Sequence, residues 1–395
     1  MLTKNAIFLD SVKSGALELQ KYVLQKPNSK FLGLPIGLYL YNLGDPDKPD
    51  SPKEWGKENP NSYNFIKSIF SEKQSIAYAR TFINLNKSFL DYPEPVILNS
   101  SKINGTTNNL LAYYNTLGYF KTSVSTKIKR DSANKKARVS YYVNKGKPTR
   151  LDTINIIIES PVLDSIYKAS QITSLLKTGD QYNDQVFRNE AAQVVKLFRN
   201  SGIYHFTESA LGFYVDSTRT DYNTNVDFII SGNRLDENDE GVYLEKPFEV
   251  HNIKNVNIYT DYSFSKQNQT VSDTIRYNNF NFLAFDKIKY NPKYLSQSLF
   301  LNPGDVYIDS LSALTRTHLK SLKNFKATTI KFEPNNKSTT DLDMNIFLTP
   351  IERYTLGFET ELTHSNIRNI GTSAKFSLTN RNTFKGAELL KFSLL

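Results

Sequence analysis

The sequence predicts an α+β chain that uses one unit, strand–helix–helix–strand–strand, three times before it turns into antiparallel strands alone. Three observations carry this. "LKTGDQYNDQVFRNEAAQVVKLFRNSGIYHF" from Leu176 and "FLNPGDVYIDSLSALTRTHLKSLKNF" from Phe300 share Gly-Asp-x-Tyr-x-Asp followed by an amphipathic run. "LAYYNTLGYF" from Leu111 and "KLFRNSGIYHF" from Lys196 both end an apolar helical run at a glycine with aromatics behind it, and a left-handed glycine is a common helix stop. After Pro350 the helical period vanishes and apolar and polar residues alternate, the period of strands.

Each copy opens with a strand and a first helix: "NAIFLDS" with "ALELQKYVLQ", "RLDTINIII" with "SIYKASQITSLL", and "FDKIKY" with "PKYLSQSLF". The second helix follows. Thr106 or Thr107 is placed to cap the first, which carries Leu110, Leu111, Tyr114 and Leu117 and stops at Gly118. Asp184 and Asp309 stand at the N-caps of the other two, where a side-chain oxygen satisfies free helix N–H groups. Phe187, Ala191, Val194, Val195 and Phe198 share one face of the second copy, and Leu311, Leu314 and Leu322 one face of the third. Two closing strands end each copy: "KTSVSTKIKR" and "ARVSYYVNKG", "ESALGFYVDS" and "NTNVDFIISG", "KATTIKFEP" and "DLDMNIFLTP". The expected boundaries are 1–147, 148–235 and 245–350. A long, loop-like insertion at about 31–93 holds the single Trp, and an added hairpin is expected at about 255–282.

Composition limits the function. A chain of 395 residues implies two or three domains. The hydrophobic fraction is 39% and the mean hydropathy −0.46. No run approaches the roughly 20 apolar residues of a spanning helix; "FLGLPIGLYLYNLG" is too short and broken by Gly and Pro. This excludes an α-helical membrane protein. Counts of 24 Tyr and 25 Phe favour strands. The net charge of +10 attracts anionic partners. The lysines are scattered through "KIKRD", "NKKAR" and "VNKGK" and form no helical stripe, which suits an anionic membrane surface better than nucleic acid. Cysteine is absent, so thiol catalysis, disulfides and thiolate metal sites are excluded. "MLTKNAIFLD" contains no signal-peptide apolar region, as in a cytoplasmic protein or a fragment lacking its leader.

The tail reads as three strands. "RYTLGFETELTHS" sets Tyr354, Leu356, Phe358 and Leu362 against Arg353, Thr355, Glu359, Glu361 and Thr363. "IGTSAKFSLTN" sets Ala374, Phe376 and Leu378 against Ser373, Lys375, Ser377 and Thr379. "AELLKFSLL" sets Leu390, Phe392 and Leu394 against Lys391 and Ser393, and the sequence stops inside that strand. Such strands are the signature of a transmembrane β-barrel, and equally of a half-buried antiparallel sheet in a soluble domain. We read 351–395 as the first strands of an incomplete barrel.

Gly-Asp-x-Tyr before a helix, Gly-Tyr-Phe after it and two closing strands resemble the POTRA domains of the BamA/TamA family. "IGTSAKFSLTNRNTFKGAELLKFSLL" resembles that family's entry into its outer-membrane barrel. "FLGLPIGLYLYNLGDPD" and "EPVILNSSKINGTTNNLLAYYNTLGYF" are most similar to TamL, its lipoprotein branch. The resemblance covers essentially the whole chain. It implies an assembly or translocation factor of the outer membrane, with 1–350 in the periplasm, unfolded outer-membrane clients and membrane lipid as partners, a TamB-like inner-membrane partner, and no cofactor or nucleic acid. Clients would add as strands to sheet edges at 122–129, 207–215 and 326–332, through Thr122, Val124, Thr126, Ile128, Thr328, Ile330 and Phe332. Lys127, Lys129 and Lys331 would guard these edges, or simply form a solvated face. Tyr354, Leu356, Phe358, Leu362, Phe376, Leu378, Leu390 and Phe392 would face lipid, and the strand 353–363 would flank a lateral seam. Gly118, Tyr119, Phe120, Gly202 and Tyr204 would form the module joints; the third joint has Asn324 in place of glycine, a residue that also tolerates the left-handed region. Two family features, the arginine-glycine barrel-loop motif and a lipidated cysteine, do not occur in the sequence.

No catalytic reading emerges. His205, His251, His318 and His364 lie far apart, and no phosphate loop, nucleophile elbow or zinc spacing occurs. The competing class is a soluble periplasmic or surface binding module without a barrel.

Overall fold

The computed structural model describes residues 8–394 except 14–16, 33, 46, 134–135, 217–220, 238–242, 336–337 and 364–370, and leaves the side chains of 8–13, 17, 235–237, 243, 362–363 and 371 undescribed. Of the four histidines expected to lie far apart, His205 and His251 meet edge-on at 5.1 Å, and His364 lies outside the described residues. The chain divides into two compact units, 1–151 with 179–184 and 217–224, and 152–178 with 185–216 and 225–395.

In the first unit β1 (Phe8–Lys13) lies parallel to β3 (Lys136–Asn144), and β3 is antiparallel to β2 (Ser123–Asp131), giving the order β1-β3-β2. Leu19, Ile103, Leu110, Tyr114, Val139 and Tyr141 form the core beneath it. Between β1 and the closing strands the sequence reading needs two corrections. The expected first helix over 16–25 is a short 3-10 turn, Leu17–Tyr22. The expected loop at 31–93 is helical: α1 (Ile36–Tyr41), α2 (Pro52–Glu58), α3 (Pro60–Ile69) and α4 (Glu72–Leu90).

The prolines misled the reading. Pro52 and Pro60 each open a helix, where the missing N–H costs nothing because that donor has no intrahelical partner. Ser71 and Gln74 form a capping box at the start of α4, satisfying two donors at once. Ser75, Ala79 and Ile83 then recur at helical spacing and are buried, while Trp55 stacks on Phe82 at 5.9 Å. α5 (Ser100–Thr116) is capped by Asn99, so Thr106 and Thr107 lie inside the helix and cap nothing.

The second unit holds most of β4 (Arg150–Ile158), α6 (Pro161–Ser170), α7 (Asp184–Asn200), β5 (Leu211–Val215) and β6 (Asn223–Ile230), in sheet order β4-β6-β5, while the first residues of β4, α7 and β6 (150–151, 184 and 223–224) belong to the first unit. Leu163, Val194, Phe198, Ile203, Phe206 and Phe228 are fully buried there. A hairpin, β7 (Asn233–Glu237) and β8 (Tyr243–Pro247), leads on to β9 (Asn252–Tyr259).

The next sheet is β10 (Asp273–Tyr277), β11 (Phe280–Ala284), β9, β13 (Asp341–Pro350) and β12 (Phe325–Pro334) in that spatial order. Its opening strand is β9, parallel to β13, and the expected strand at 285–290 does not form. The reason is burial: Ile253, Val256 and Ile258 carry the inward apolar positions. The added hairpin is β10–β11, turned by Asn278 and Asn279 at φ 48° and 63°, the paired left-handed geometry of a tight hairpin turn. α8 (Pro292–Ser296) and α9 (Asp309–Ser321) accompany this sheet. In α9 Ser312, Thr315 and Leu319 are buried; of the expected Leu311/Leu314/Leu322 face, Leu311 and Leu322 pack against the core and Leu314 is 38% exposed. Asp184 and Asp309 are first helical residues, with Ile308 at the cap of α9. The tail forms β14 (Tyr354–Thr363), β15 (Gly371–Arg381) and β16 (Leu389–Leu394), an antiparallel meander.

One polar fixture recurs at the seventh residue of α5, α7 and α9. Thr106 Oγ1 accepts the Leu24 N–H at 3.1 Å, Glu190 Oε2 that of Leu175 at 2.7 Å, and Thr315 Oγ1 that of Phe300 at 3.1 Å. All three side chains are fully buried. A buried N–H without an acceptor costs about 1–3 kcal/mol, so the helix supplies one to the connection packed on it. Thr315→Val, which keeps shape and removes the acceptor, is expected to cost about 1–3 kcal/mol in urea unfolding. Thr317→Val, at an exposed position of the same helix, should be near neutral.

Candidate functional site: free sheet edges and the joints beside them

The predicted pairing residues fall on strands with one free side. β2, β5 and β12 each end their sheet's order. Val124, Thr126 and Ile128 lie in β2, with Thr122 just ahead of it, and Thr328, Ile330 and Phe332 lie in β12. The strand within 207–215 is confined to Leu211–Val215. Lys127, Lys129 and Lys331 are exposed on these strands.

The geometry of β12 fixes which backbone groups face outward. The Tyr204 hydroxyl reaches the Phe332 carbonyl at 3.4 Å, so that carbonyl points away from β13. In an antiparallel pair the outward residues alternate. With Phe332 opposite Met344 and Ile330 opposite Ile346, the outward set is Thr328, Ile330 and Phe332. Their side chains pack inward: Thr328 and Ile330 are 7% and 8% exposed, and Phe332 lies against the core.

The joints are built by one repeated circuit. In the first unit Gly118 (φ +82°) offers its carbonyl to the Thr149 N–H at 2.8 Å, and Thr149 in turn accepts from Tyr182 at 2.9 Å. In the second, Gly202 (φ +97°) accepts from His251 at 2.9 Å, and His251 accepts from Tyr307 at 2.9 Å. The Gly-Asp-x-Tyr motif closes the circuit by pairing with the opening strand. Gly179 N–H meets Leu151 O at 2.7 Å and Leu151 N–H meets Asp180 O at 2.8 Å; Gly304 and Asp305 meet Ile253 at the same two distances. A Cβ on Gly118 would stand 2.8 Å from the Tyr182 carbonyl, and one on Gly202 2.6 Å from Val250. These glycines, legible in sequence as helix stops, have a second role that no local signal shows: Gly118 packs against the Tyr182 backbone and Gly202 against the Val250 and Val306 side chains.

Aromatics line both joints. Phe120 meets Tyr182 edge-on at 5.0 Å, and Tyr119 meets Tyr114 at 6.1 Å. Tyr204 packs against Tyr307 at 5.1 Å and Phe332 at 5.6 Å. Arg199 completes the second joint: its Nη1 donates to Tyr204 O at 2.8 Å and its Nη2 to Tyr307 Oη and Asp309 Oδ1, both at 2.6 Å. Burial raises the Asp309 carboxyl, but the hydrogen bonds from Arg199 and Tyr307 outweigh it and hold the group below its ordinary value. Burial holds the His251 imidazole below 6.5, against the pull of backbone carbonyl groups at Glu249 and Gly202.

The third joint departs from expectation. The left-handed residue is Lys323 (φ 55°), one place before Asn324. Asn324 is 1% exposed; its carbonyl accepts the Ile351 N–H at 2.8 Å, while its amide donates to Leu322 O at 2.9 Å and to Ala387 O. The β15–β16 turn is thereby docked on the preceding sheet, with Ala387 inside its core and Asn382 Nδ2 on Lys289 O at 2.9 Å.

The tail sheet has one apolar and one polar face. Leu356, Leu378 and Phe392 lie in register, as do Phe358, Phe376 and Leu394, and all six side chains are exposed. Leu394 was not among the predicted lipid-facing residues. Tyr354 is exposed and Leu390 half-buried; the side chain of Leu362 is outside the described residues. Opposite lie Thr379 beside Thr355 and Lys391, and Glu359 beside Lys375. Among the described residues no group of His, Asp or Glu could hold a metal ion, and no helix is long and apolar enough to cross a membrane.

Two outcomes follow for the joints. Gly202→Ala combines a left-handed backbone with a close contact and should cost about 1–3 kcal/mol or more of stability, read by chemical denaturation. A histidine whose folded pKa is depressed contributes stability that is complete above about 6.5 and is lost as pH falls through the folded value. Melting temperature should therefore fall as the pH drops below about 6.5, and His251→Asn should flatten that slope; Asp309 adds a further loss only at pH below about 4.

A family model of the POTRA domain, described as a surface antigen variable number repeat, matches residues 81–146. These residues run from within α4 through α5, β2 and β3. Among solved structures, the chain is similar to BamA from Haemophilus ducreyi lacking POTRA domains 1–3, at 11% identity and TM-score 0.41, covering 62% of this chain and 36% of that one. It is similar to POTRA3–5 of Haemophilus influenzae BamA at 15% identity and TM-score 0.32, covering 65% and 87%. CdiB from Acinetobacter baumannii follows at 10% identity and TM-score 0.28, covering 63% and 38%. The chain thus spans little more than a third of the Haemophilus ducreyi BamA and CdiB chains. Curated protein sequences gave no match. Residues 81–146 therefore match the POTRA domain model, within an α+β architecture that ends in antiparallel strands.

Proposed function

We propose that this chain is the periplasmic arm and first barrel strands of an outer-membrane assembly or translocation factor of the BamA/TamA type, in the TamL lipoprotein branch. In this reading 1–147, 148–235 and 245–350 are three POTRA domains, 351–395 opens the barrel, and a TamB-like protein is the inner-membrane partner. The observation that carries it is the free edge: among the described residues the first closing strand of each α+β sheet, β2, β5 and β12, is left unpaired on one side.

An edge strand binds an extended client through main-chain hydrogen bonds and so demands little of its sequence. That suits a protein whose clients share a β-rich future and no common motif. The tail supports the membrane half of the reading. A sheet face of six exposed large apolar side chains is unfavourable in water, and favourable in lipid, where its free edge β14 would need a partner strand. In this role Tyr354, Leu356, Phe358, Leu362, Phe376, Leu378, Leu390 and Phe392 face acyl chains, and Leu394 joins them. The chemistry is templated pairing and needs no cofactor or catalytic residue.

The absence of native cysteine makes the test clean. Single-cysteine variants at Thr126 and Thr329, both exposed on edge strands, are expected to form disulfides with single-cysteine unfolded outer-membrane clients. Lys73→Cys on α4 should not. Equal cross-linking at all three positions would remove the edge reading. For the tail, flotation with phospholipid vesicles should bring the full chain to the lipid fraction, and Phe358→Asp with Phe376→Asp should leave it behind.

A further inference from the structure

Beside the β12 edge lies a polar cavity of about 360 Å³. Ile330 to Glu333 form one wall, Ser312 and Arg316 of α9 the second, and the joint residues Arg199, Tyr204, Tyr307 and Asp309 the third. A strand added to β12 would enter it, because Thr328, Ile330 and Phe332 present their backbone groups on that side and Tyr204 already holds the Phe332 carbonyl.

The charges in this cavity are unequally committed. Arg199 spends both terminal nitrogens on Tyr204, Phe206, Tyr307 and Asp309, so Asp309 is neutralised in place. Glu333 accepts from Asn345 Nδ2 at 2.9 Å. Lys331 leans over the Phe347 ring at 5.9 Å. Arg316 is exposed and, among the described residues, donates no hydrogen bond, although its charge helps to hold the Asp309 carboxyl low. It is the one guanidinium in the cavity with its fork unspent, and that fork matches a carboxylate in a planar two-point contact.

We propose that the β12 edge prefers extended segments carrying an acidic side chain on the helix-facing side, where Arg316 receives the carboxylate beside the joint. This rests on the edge-pairing reading and adds a chemical selectivity to it. Main-chain bonds then supply affinity at Thr328 and Ile330, and the Arg316 contact sets which segment of a client docks there.

The test uses the full chain and two fluorescein-labelled eight-residue peptides of alternating Thr and Val, identical except for Glu or Gln at one central position. The wild type is expected to bind the Glu peptide about tenfold tighter by anisotropy, a preference that shrinks in high salt. Arg316→Gln should abolish the difference, and Arg316→Glu should favour a Lys peptide. Thr328→Pro, which removes an outward N–H and no ladder bond, should weaken all peptides together. If Arg316→Gln keeps the preference, or the wild type has none while Thr328→Pro still abolishes binding, the acidic selectivity is overturned and the edge stands. If Thr328→Pro binds every peptide as the wild type does, the edge reading itself falls. Circular dichroism of each variant establishes that the fold is retained.

Discussion

The carbonyl just after each second helix accepts the N–H of the residue that opens the following segment, and much else is arranged around that bond. It recurs as Gly118 with Thr149, Gly202 with His251 and Asn324 with Ile351, at 2.8 to 2.9 Å. To expose that carbonyl, the chain must leave the helix through a left-handed residue. To let the next segment approach, the first two sites must lack a Cβ, which would meet the Tyr182 carbonyl at Gly118 and the Val250 and Val306 side chains at Gly202. Both demands fall on one position in two joints, and glycine alone meets both. In the third joint they separate: Lys323 takes the left-handed turn, and the neighbouring Asn324 is free to carry an amide that holds Ala387.

That separation accompanies a shorter helix. α7 has 17 residues and α9 has 13, a difference of about one helical turn. The Gly-Asp-x-Tyr motif, the buried acceptor seven residues into the helix and the left-handed exit all remain. What the lost turn removes is the segment that carries Arg199 in α7. The residue three before Gly118 is Asn115, and it cannot reproduce the four-acceptor clamp that Arg199 makes. The joints therefore share a backbone circuit and differ in the side chains that brace it, so point substitutions should separate their stabilities.

The helix exits and closing strands were legible because their signals are local. Glycine at a helix exit, Gly-Asp-x-Tyr ahead of a helix and two-residue alternation in strands depend on backbone sterics and burial, which a sequence displays directly. The edges were legible for the same reason, since the closing pair is a hairpin. What failed needed context. Pro52 and Pro60 are breakers in a loop and openers in a helix; Ser51 caps the helix behind Pro52, while Asn59 makes no side-chain cap before Pro60. β9 shows no strand alternation in sequence because its inward residues, Ile253, Val256 and Ile258, are separated by asparagines and a lysine. Those asparagines have a purpose no local rule shows. Asn281 donates to Asn257, Asn257 to Asn345 and Asn345 to Glu333, each at 2.9 Å, a ladder across four strands. The Arg316 cavity was invisible in sequence because its walls come from residues 199, 204, 307–316 and 330–333.

The ladder bears on how an edge can be offered safely. A one-residue slip of β12 would move Thr328, Ile330 and Phe332 from core to solvent and break the link to Glu333, so the register of the strand that accepts a partner is fixed from both faces. The lysines at 127, 129 and 331 place like charges on the edges, which penalises pairing between two copies of the chain and leaves an uncharged client strand unaffected. Four new main-chain bonds at about 1 kcal/mol each give about 4 kcal/mol, the scale of a millimolar complex. Each edge alone would then hold a client for a short time. Several weak edges on one chain raise the effective concentration of the client at the others, so retention and release coexist without any edge having to bind tightly.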